Sequence, residues 1–157
     1  MCLIVDANAA GRFLARSSSL RDWLLGAKGQ PRLVAAGLLK EELARLDSVR
    51  RLLVELNRVG RLRSVEADPL RRAEARLRTR APRSNDVHVL ALAIVSGART
   101  LATFDDSLAH DFRNPSIISR PRGKVYRDPE RHSHLLRHTP VSCGVAASEA
   151  RRGQSHR

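Results

Sequence analysis

Two aspartates directly follow short apolar segments that are typical of buried parallel strands. Asp6 follows the apolar run at 3–5, and Asp105 follows the run at 100–104. In an open parallel sheet, functional sites form at the edge where the strands end. If these two strands are neighbours, we expect the two carboxylates to face each other across one crevice.

Asp86 is a third acid at a predicted element boundary. It opens a helix predicted over 87–96, which is almost wholly apolar and must be buried on most sides. An aspartate in this position commonly caps the helix, so capping is the alternative to a chemical role. The preceding Ser84 and Asn85 weaken that alternative, because either of them can cap the helix instead.

Glu42 is selected as a fourth acid by its place on a predicted helix. One long helix is predicted over 38–57, and Glu42 lies in the middle of its apolar stripe, whereas Glu41 lies on the polar side. A carboxylate on a buried face costs free energy unless it is paired or bound to a metal ion. The stripe that places Glu42 on the buried face consists of Leu39, Leu46, Val49 and Leu53.

Carboxylates repel each other, and a hard cation is the usual reason for gathering them. Mg²⁺ and Mn²⁺ take oxygen ligands and keep several bound waters. Such an ion lowers the pKa of a bound water and stabilises the charge that develops when a phosphodiester is cleaved. We therefore predict that Mg²⁺ or Mn²⁺ is bound by Asp6, Asp86 and Asp105, with Glu42 as a further catalytic acid.

Strands and helices alternate along the chain, which predicts an α/β fold with a mostly parallel sheet. Aromatic residues are only 3% of the chain, so the core must be mainly aliphatic. The predicted strands cover 3–5, 33–36, 62–65, 100–104 and 116–118, and the predicted helices cover 7–15, 20–25, 38–57, 68–80 and 87–96.

The net charge of +13 arises from 29 Lys and Arg against 16 Asp and Glu. Such a surface attracts polyanions, with nucleic acid as the first candidate and an anionic membrane surface as the second. Arginine greatly outnumbers lysine, which suits phosphate, although a GC-rich genome explains the same preference.

Asp6 interrupts the first apolar run before it is long enough for a signal peptide, and no run approaches the roughly 18 residues of a membrane span. A soluble, cytoplasmic protein is expected.

Arginines crowd the segment that leads into Asp86. They point outward from the predicted helix over 68–80 and are candidates for holding an RNA backbone, the alternative being an ordinary solvated face. A second basic loop surrounds Gly123, with Arg120, Arg122 and Lys124. The predicted RNA-binding residues are Arg72, Arg76, Arg80 and Arg83.

His132, His134 and His138 lie near the end of the chain. Without a second ligand cluster, a basic tail that gains charge near pH 6 is a better interpretation than a zinc site. His88, beside Asp86, is predicted to be a packed or hydrogen-bonded core histidine.

Three segments together resemble the PIN-domain ribonuclease family. They are MCLIVDAN at 1–8, the pair Glu42-Leu43, and SNDVHVLALAIVSGARTLATFDDSLAHDF at 84–112, which contains Thr103-Phe104-Asp105. The resemblance implies a three-layer PIN-like fold over 1–126, followed by a basic, His- and Arg-rich tail at 127–157 that is predicted to be disordered in part. It also implies an endoribonuclease dependent on Mg²⁺ or Mn²⁺ and similar to toxins of bacterial toxin–antitoxin pairs.

The same resemblance implies roles for further residues and partners. Asn8 and Thr103 would lie behind the metal ligands, and Asp106 would be an auxiliary acid unless it is only a solvated loop charge. Asp111 is expected on a surface helix or turn. The implied partners are RNA, a cognate antitoxin protein and a second copy of the chain.

Two other functions compete with this hypothesis. A phosphatase of the haloacid-dehalogenase type also begins with a strand and an aspartate, but it needs a second aspartate where this chain has Asn8. A non-catalytic PIN-like module that binds nucleic acid or docks a partner would use the same positive charge without needing the carboxylates.

Overall fold

The computed structural model describes residues 2–26 and 31–136. They form an α/β fold with a five-stranded, all-parallel sheet flanked by helices, which confirms the predicted fold class and is consistent with three layers. The strands are β1 (Cys2–Val5), β2 (Arg32–Val34), β3 (Leu62–Arg63), β4 (Thr100–Ala102) and β5 (Lys124–Tyr126). The α-helices are α1 (Ala7–Phe13), α2 (Ser19–Leu25), α3 (Gly37–Ala44), α4 (Asp47–Arg58), α5 (Ala67–Arg78), α6 (Val87–Ser96) and α7 (Asp106–Arg113).

The order of the strands, β3-β2-β1-β4-β5, places β1 beside β4. Every residue of both strands is buried, as expected for a parallel sheet whose two faces are covered. Val5 pairs with Ala102, and the Asp6 N–H donates to the Ala102 carbonyl at 2.9 Å. The chain builds the sheet outward from β1 in one direction and then from β4 in the other. The reversal therefore falls between β1 and β4, where open α/β sheets form their binding crevice.

The single helix predicted over 38–57 is wrong, because the chain breaks into α3 and α4. Leu46 between them has an extended backbone and is 42% exposed, so it is not part of a buried stripe. Asp47 favours a new helix at this point, since an acid in the first turn interacts well with the helix dipole. Its carboxylate also pairs with Arg50 at 2.8 Å.

The strand predicted over 116–118 is also wrong, and the last strand is β5. Asn114 turns the chain instead: its side chain accepts from the Ser116 N–H at 3.0 Å, and its carbonyl accepts from the Ile117 N–H at 3.0 Å. Ile117 is buried within this turn, so its apolar character does not require a strand. Lys124, predicted in a basic loop, is the first residue of β5.

The segment 127–136, predicted as part of the tail, packs on the domain. Leu135 and Leu136 contact the core. The Nδ1 atom of His132 accepts from the backbone N–H groups of Arg127 and Asp128 at 2.9 and 3.0 Å. Burial lowers the pKa of His132 below its ordinary value. Residues 137–157, including His138, lie outside the described part of the chain.

The other predicted elements are present with small shifts at their ends. One shift matters for the site: β4 ends at Ala102, so Thr103 and Phe104 separate it from Asp105. No helix among the residues described is long and apolar enough to cross a membrane.

Candidate active site

Asp6 lies at the carboxyl end of β1 and is only 4% exposed. Its Oδ2 atom accepts a hydrogen bond from the Thr103 hydroxyl at 2.9 Å. Burial raises the pKa of Asp6 above its ordinary value, and the charges of Asp86 and Asp105 raise it further, while the Thr103 hydroxyl opposes the rise. Asp6 is therefore a carboxylate held in an unfavourable environment by its position on the sheet.

Asp105 lies three residues after the end of β4, directly before α7. Its side chain caps α7 by accepting from the Leu108 N–H at 3.0 Å. Its own N–H donates to the Thr103 hydroxyl oxygen at 3.1 Å. The buried Thr103 thus links Asp6 to the backbone of Asp105, which agrees with its predicted place behind the acids.

Asp86 occupies the residue before α6, but its side chain makes no capping hydrogen bond. The capping alternative therefore fails for Asp86, and among the site acids the capping role belongs to Asp105. Burial raises the pKa of Asp86, and Asp105 and Glu42 add to the rise, whereas His88 opposes it. These interactions bring Asp86 into one electrostatic group with Asp6, Asp105 and Glu42.

Glu42 projects from α3 and is half-buried, whereas Glu41 is exposed. The Oε1 atom of Glu42 lies 2.6 Å from Nε2 of His88. His88 is thus a hydrogen-bonded histidine, as predicted. Leu46, Val49 and Leu53, which were predicted to share an apolar stripe with Glu42, lie beyond the end of α3. Glu42 is held inward by the short helix, on which Leu39 and Leu43 are buried, and by His88.

The side chains of several predicted residues lie apart from this group. The side chain of Asp106 is 92% exposed and pairs with Arg127 at 2.8 Å, so it is a surface charge here. The Asn8 side chain is exposed in the first turn of α1, but its backbone hydrogen bond to Asp6 opposes the rise in the pKa of that carboxyl. The predicted RNA-binding residues are all exposed on α5 and the loop after it: Arg72, Arg76, Arg80 and Arg83.

The prediction that Asp111 lies at the surface is wrong, because the residue is only 1% exposed. Its carboxylate accepts hydrogen bonds from the backbone N–H groups of Arg83 and Ser84. A signal for this burial was present, because Leu108 and Phe112 place Asp111 on the apolar side of the helix. The same use of helical spacing placed Glu42 on a buried face.

The donor set consists of carboxylate oxygens, which suits Mg²⁺ or Mn²⁺. In 2–26 and 31–136, no three His, Cys, Asp or Glu side chains already converge in a group that could hold a metal ion. Mg²⁺ commonly takes only one or two protein carboxylates and fills its remaining positions with water and substrate phosphate. The acids fit that mode of binding, with Asp6 and Asp86 as the members whose raised pKa values a cation would reverse.

Comparisons of this chain with family models, curated proteins and solved structures give no significant match. The PIN-domain assignment therefore rests on the residues and spacing described above and stays a prediction.

Replacing Asp6 by Asn should stabilise the fold at neutral pH. The raised pKa means that the charged form is disfavoured in the folded state, and this cost is fully present above that pKa. We expect the free energy of unfolding at pH 7 to rise by about 1 kcal/mol, or roughly 3 °C in Tm. The gain should shrink as the pH falls through the raised pKa of Asp6, because protonation of Asp6 then removes the cost of its buried charge in the wild-type protein. Thermal melts from pH 4 to 8 measure it, and a gain that persists at pH 4 would contradict the argument.

Proposed function

We propose that the chain is a metal-dependent endoribonuclease that cleaves single-stranded or structured RNA. The observation that carries this proposal is the gathering of Asp6, Asp86 and Asp105 around the carboxyl ends of β1 and β4. Partly buried acids of like charge destabilise a fold, and carboxylates whose pKa is raised by burial and by neighbouring acids are candidates for functional sites. The supporting feature outside this group of acids is the net charge of +13.

The acidic side chains of the site have different proposed roles, which follow from their surroundings. Mg²⁺ or Mn²⁺, when bound, would supply an activated water and neutralise charge on the phosphate. Asp6 is fixed by Thr103, and Asp105 is fixed by its cap on α7, so their carboxylates are held in place before substrate binds. Glu42 is oriented by His88 at 2.6 Å, and an oriented carboxylate is suited to accepting a proton from the attacking water.

RNA binding is proposed for the arginines near the Asp86 loop. Arg80 and Arg83 line a cavity of about 540 Å³ between α7 and the loop that follows α5, with His110 and Asn114 on its other side. Arginine contacts to phosphate place a nucleic acid without reading its sequence. Arg72 and Arg76, on the exposed side of α5, would extend this surface.

The partners implied by the resemblance remain part of the proposal. An antitoxin protein or a second copy of the chain needs an apolar surface to contact. The α3–α4 unit presents Leu38, Leu46 and Val54 as exposed apolar side chains, and these support such a contact.

A non-catalytic RNA-binding module is the second candidate function. It is favoured by one observation: within the described ranges, the acids do not already form a three-ligand metal group. The same positive surface would bind RNA in either case, so binding alone does not separate the two candidates.

Incubation of the purified full chain with end-labelled single-stranded RNA and Mn²⁺ should give shortened products, and EDTA should abolish them. EDTA acts here because removal of the divalent ion removes the activated water. The samples are resolved on denaturing gels, with binding followed separately by fluorescence anisotropy in EDTA. RNA that binds but stays intact with both Mn²⁺ and Mg²⁺ would establish the non-catalytic module instead.

A further inference from the structure

Asp111 joins two parts of the chain that are distant in sequence. Its Oδ1 atom accepts from the Arg83 N–H at 3.2 Å, and its Oδ2 atom accepts from the Ser84 N–H at 2.7 Å. Asp111 lies in α7, while Arg83 and Ser84 belong to the loop between α5 and α6. Both carboxylate oxygens are thus used to hold one short piece of backbone.

The hydrogen-bonded connection continues to Asp86. Ser84 is itself buried, and its Oγ atom accepts from the Asp86 N–H at 3.0 Å. Since the Asp86 side chain makes no capping bond to α6, its direction depends on this backbone. The path from Asp111 through Ser84 to Asp86 therefore holds the backbone from which the Asp86 carboxylate projects.

The charge of Asp111 needs an explanation of its own. Burying a carboxylate is costly, and the hydrogen bonds described for Asp111 come from backbone N–H groups rather than from a cation. Charge-assisted hydrogen bonds offset part of that cost. An asparagine would fill the same space, but its amide nitrogen would face one of the two N–H groups and could not accept from it. Only the carboxylate satisfies both donors.

We propose that Asp111 is a positioning residue that holds the Asp86 carboxylate in place for metal binding. The proposal rests on the proposed metal-dependent cleavage, because it assigns Asp86 a role in that reaction. Asp111 is buried, and its role is assigned through Asp86 rather than through contact with the reacting atoms.

Asp111→Asn is the direct test, with the Mn²⁺ concentration for half-maximal cleavage as the readout. Residues that orient a metal ligand typically contribute about 10- to 100-fold to metal affinity or activity, so we expect the half-maximal concentration to rise by that factor. The KM for RNA should change less than the Mn²⁺ dependence, since of the proposed RNA-binding arginines only Arg83 is held by Asp111. Asp106→Asn is the matched control on the same helix, and it should leave the Mn²⁺ dependence unchanged.

A second measurement separates positioning from general stability. Mn²⁺ should raise the Tm of the wild type, and Asp86→Asn should remove most of that rise. Adding Asp111→Asn to Asp86→Asn should cause no further loss, because both act through the same carboxylate. Independent, additive losses, or a lower Tm with unchanged Mn²⁺ dependence, would overturn the proposal.

Two provisions keep the test decisive. If Asp111→Asn fails to fold, Ser84→Ala removes the hydroxyl that receives the Asp86 N–H, and it should shift the Mn²⁺ dependence in the same direction. If the wild type does not cut RNA, the proposed function fails, while amide hydrogen exchange still measures the hydrogen-bonded path. In Asp111→Asn, exchange should then accelerate over 83–86 but not over β1, and equal rates would exclude the positioning role.

Discussion

Asp86→Asn is expected to lower the rate of Mn²⁺-dependent RNA cleavage by about a thousandfold, equivalent to roughly 4 kcal/mol of lost transition-state stabilisation. The Asp86 side chain makes no capping bond, so the substitution removes a charge without removing a helix contact. The neutral amide relieves the cost of burying a charge and the repulsion from Asp105 and Glu42, while it gives up the attraction to His88. Activity should therefore fall while the protein stays folded, as judged by initial cleavage rates beside circular dichroism.

Asp106→Asn is the control for this experiment. Asp106 follows Asp105 directly, but it is exposed and pairs with Arg127, so its loss should leave cleavage within about threefold of the wild-type rate. Asp6→Asn should behave like Asp86→Asn, because Asp6 belongs to the same electrostatic group. Unchanged cleavage in both Asp6→Asn and Asp86→Asn would refute the site assignment.

The places of Asp6 and Asp105 near strand ends could be predicted from the sequence, because they depend on the residues that immediately precede each acid. An apolar, β-branched run favours a strand, and an acid that follows such a run is expected near its end. Asp6 follows β1 directly, and Asp105 lies three residues after β4. Their convergence required β1 and β4 to be neighbours, and the pairing of Val5 with Ala102 supplies that condition. The order of the strands in a sheet depends on the whole chain, so a local sequence pattern does not predict that β1 and β4 are neighbours.

Glu42 is half-buried, although the single helix from which its position was predicted is wrong. The period of 3.6 residues identifies an inward-facing position only while one helix continues, and Leu46 ends that continuity. The interaction with His88, which lies 46 residues away, cannot be read from local spacing. Asp111 was missed for a related reason: its hydrogen-bond donors are backbone groups in another loop, and backbone donors leave no pattern in the sequence.

β5 was missed because two local signals competed with it. Ile117 and Ile118 look like strand residues, but Asn114 turns the chain there, whereas Lys124–Tyr126 is too short and too close to Gly123 and the prolines to stand out. What defines β5 is its pairing with β4, including Leu101 with Val125. Directly before β5, Gly123 lies close to Phe112 of α7.

Gly123→Ala should destabilise the fold by about 3 kcal/mol, or roughly 10 °C in Tm. A Cβ atom at Gly123 would clash with the Phe112 carbonyl oxygen and would lie 2.6 Å from its ring. Phe112 is fully buried in α7, so neither its backbone nor its ring can move aside without displacing the core. The strain would separate α7 from the start of β5, and urea or thermal unfolding measures the loss.

Gly11→Ala gives the matched control, because it adds the same methyl group where nothing lies within 4 Å. Gly11 is inside α1 and exposed, so alanine should stabilise the helix by about 0.5–1 kcal/mol. The two substitutions should therefore have opposite signs. If Gly123→Ala were as well tolerated as Gly11→Ala, the close packing of β5 against Phe112 would be wrong. The support that α7 gives to Asp105 and Asp111 would then need another explanation.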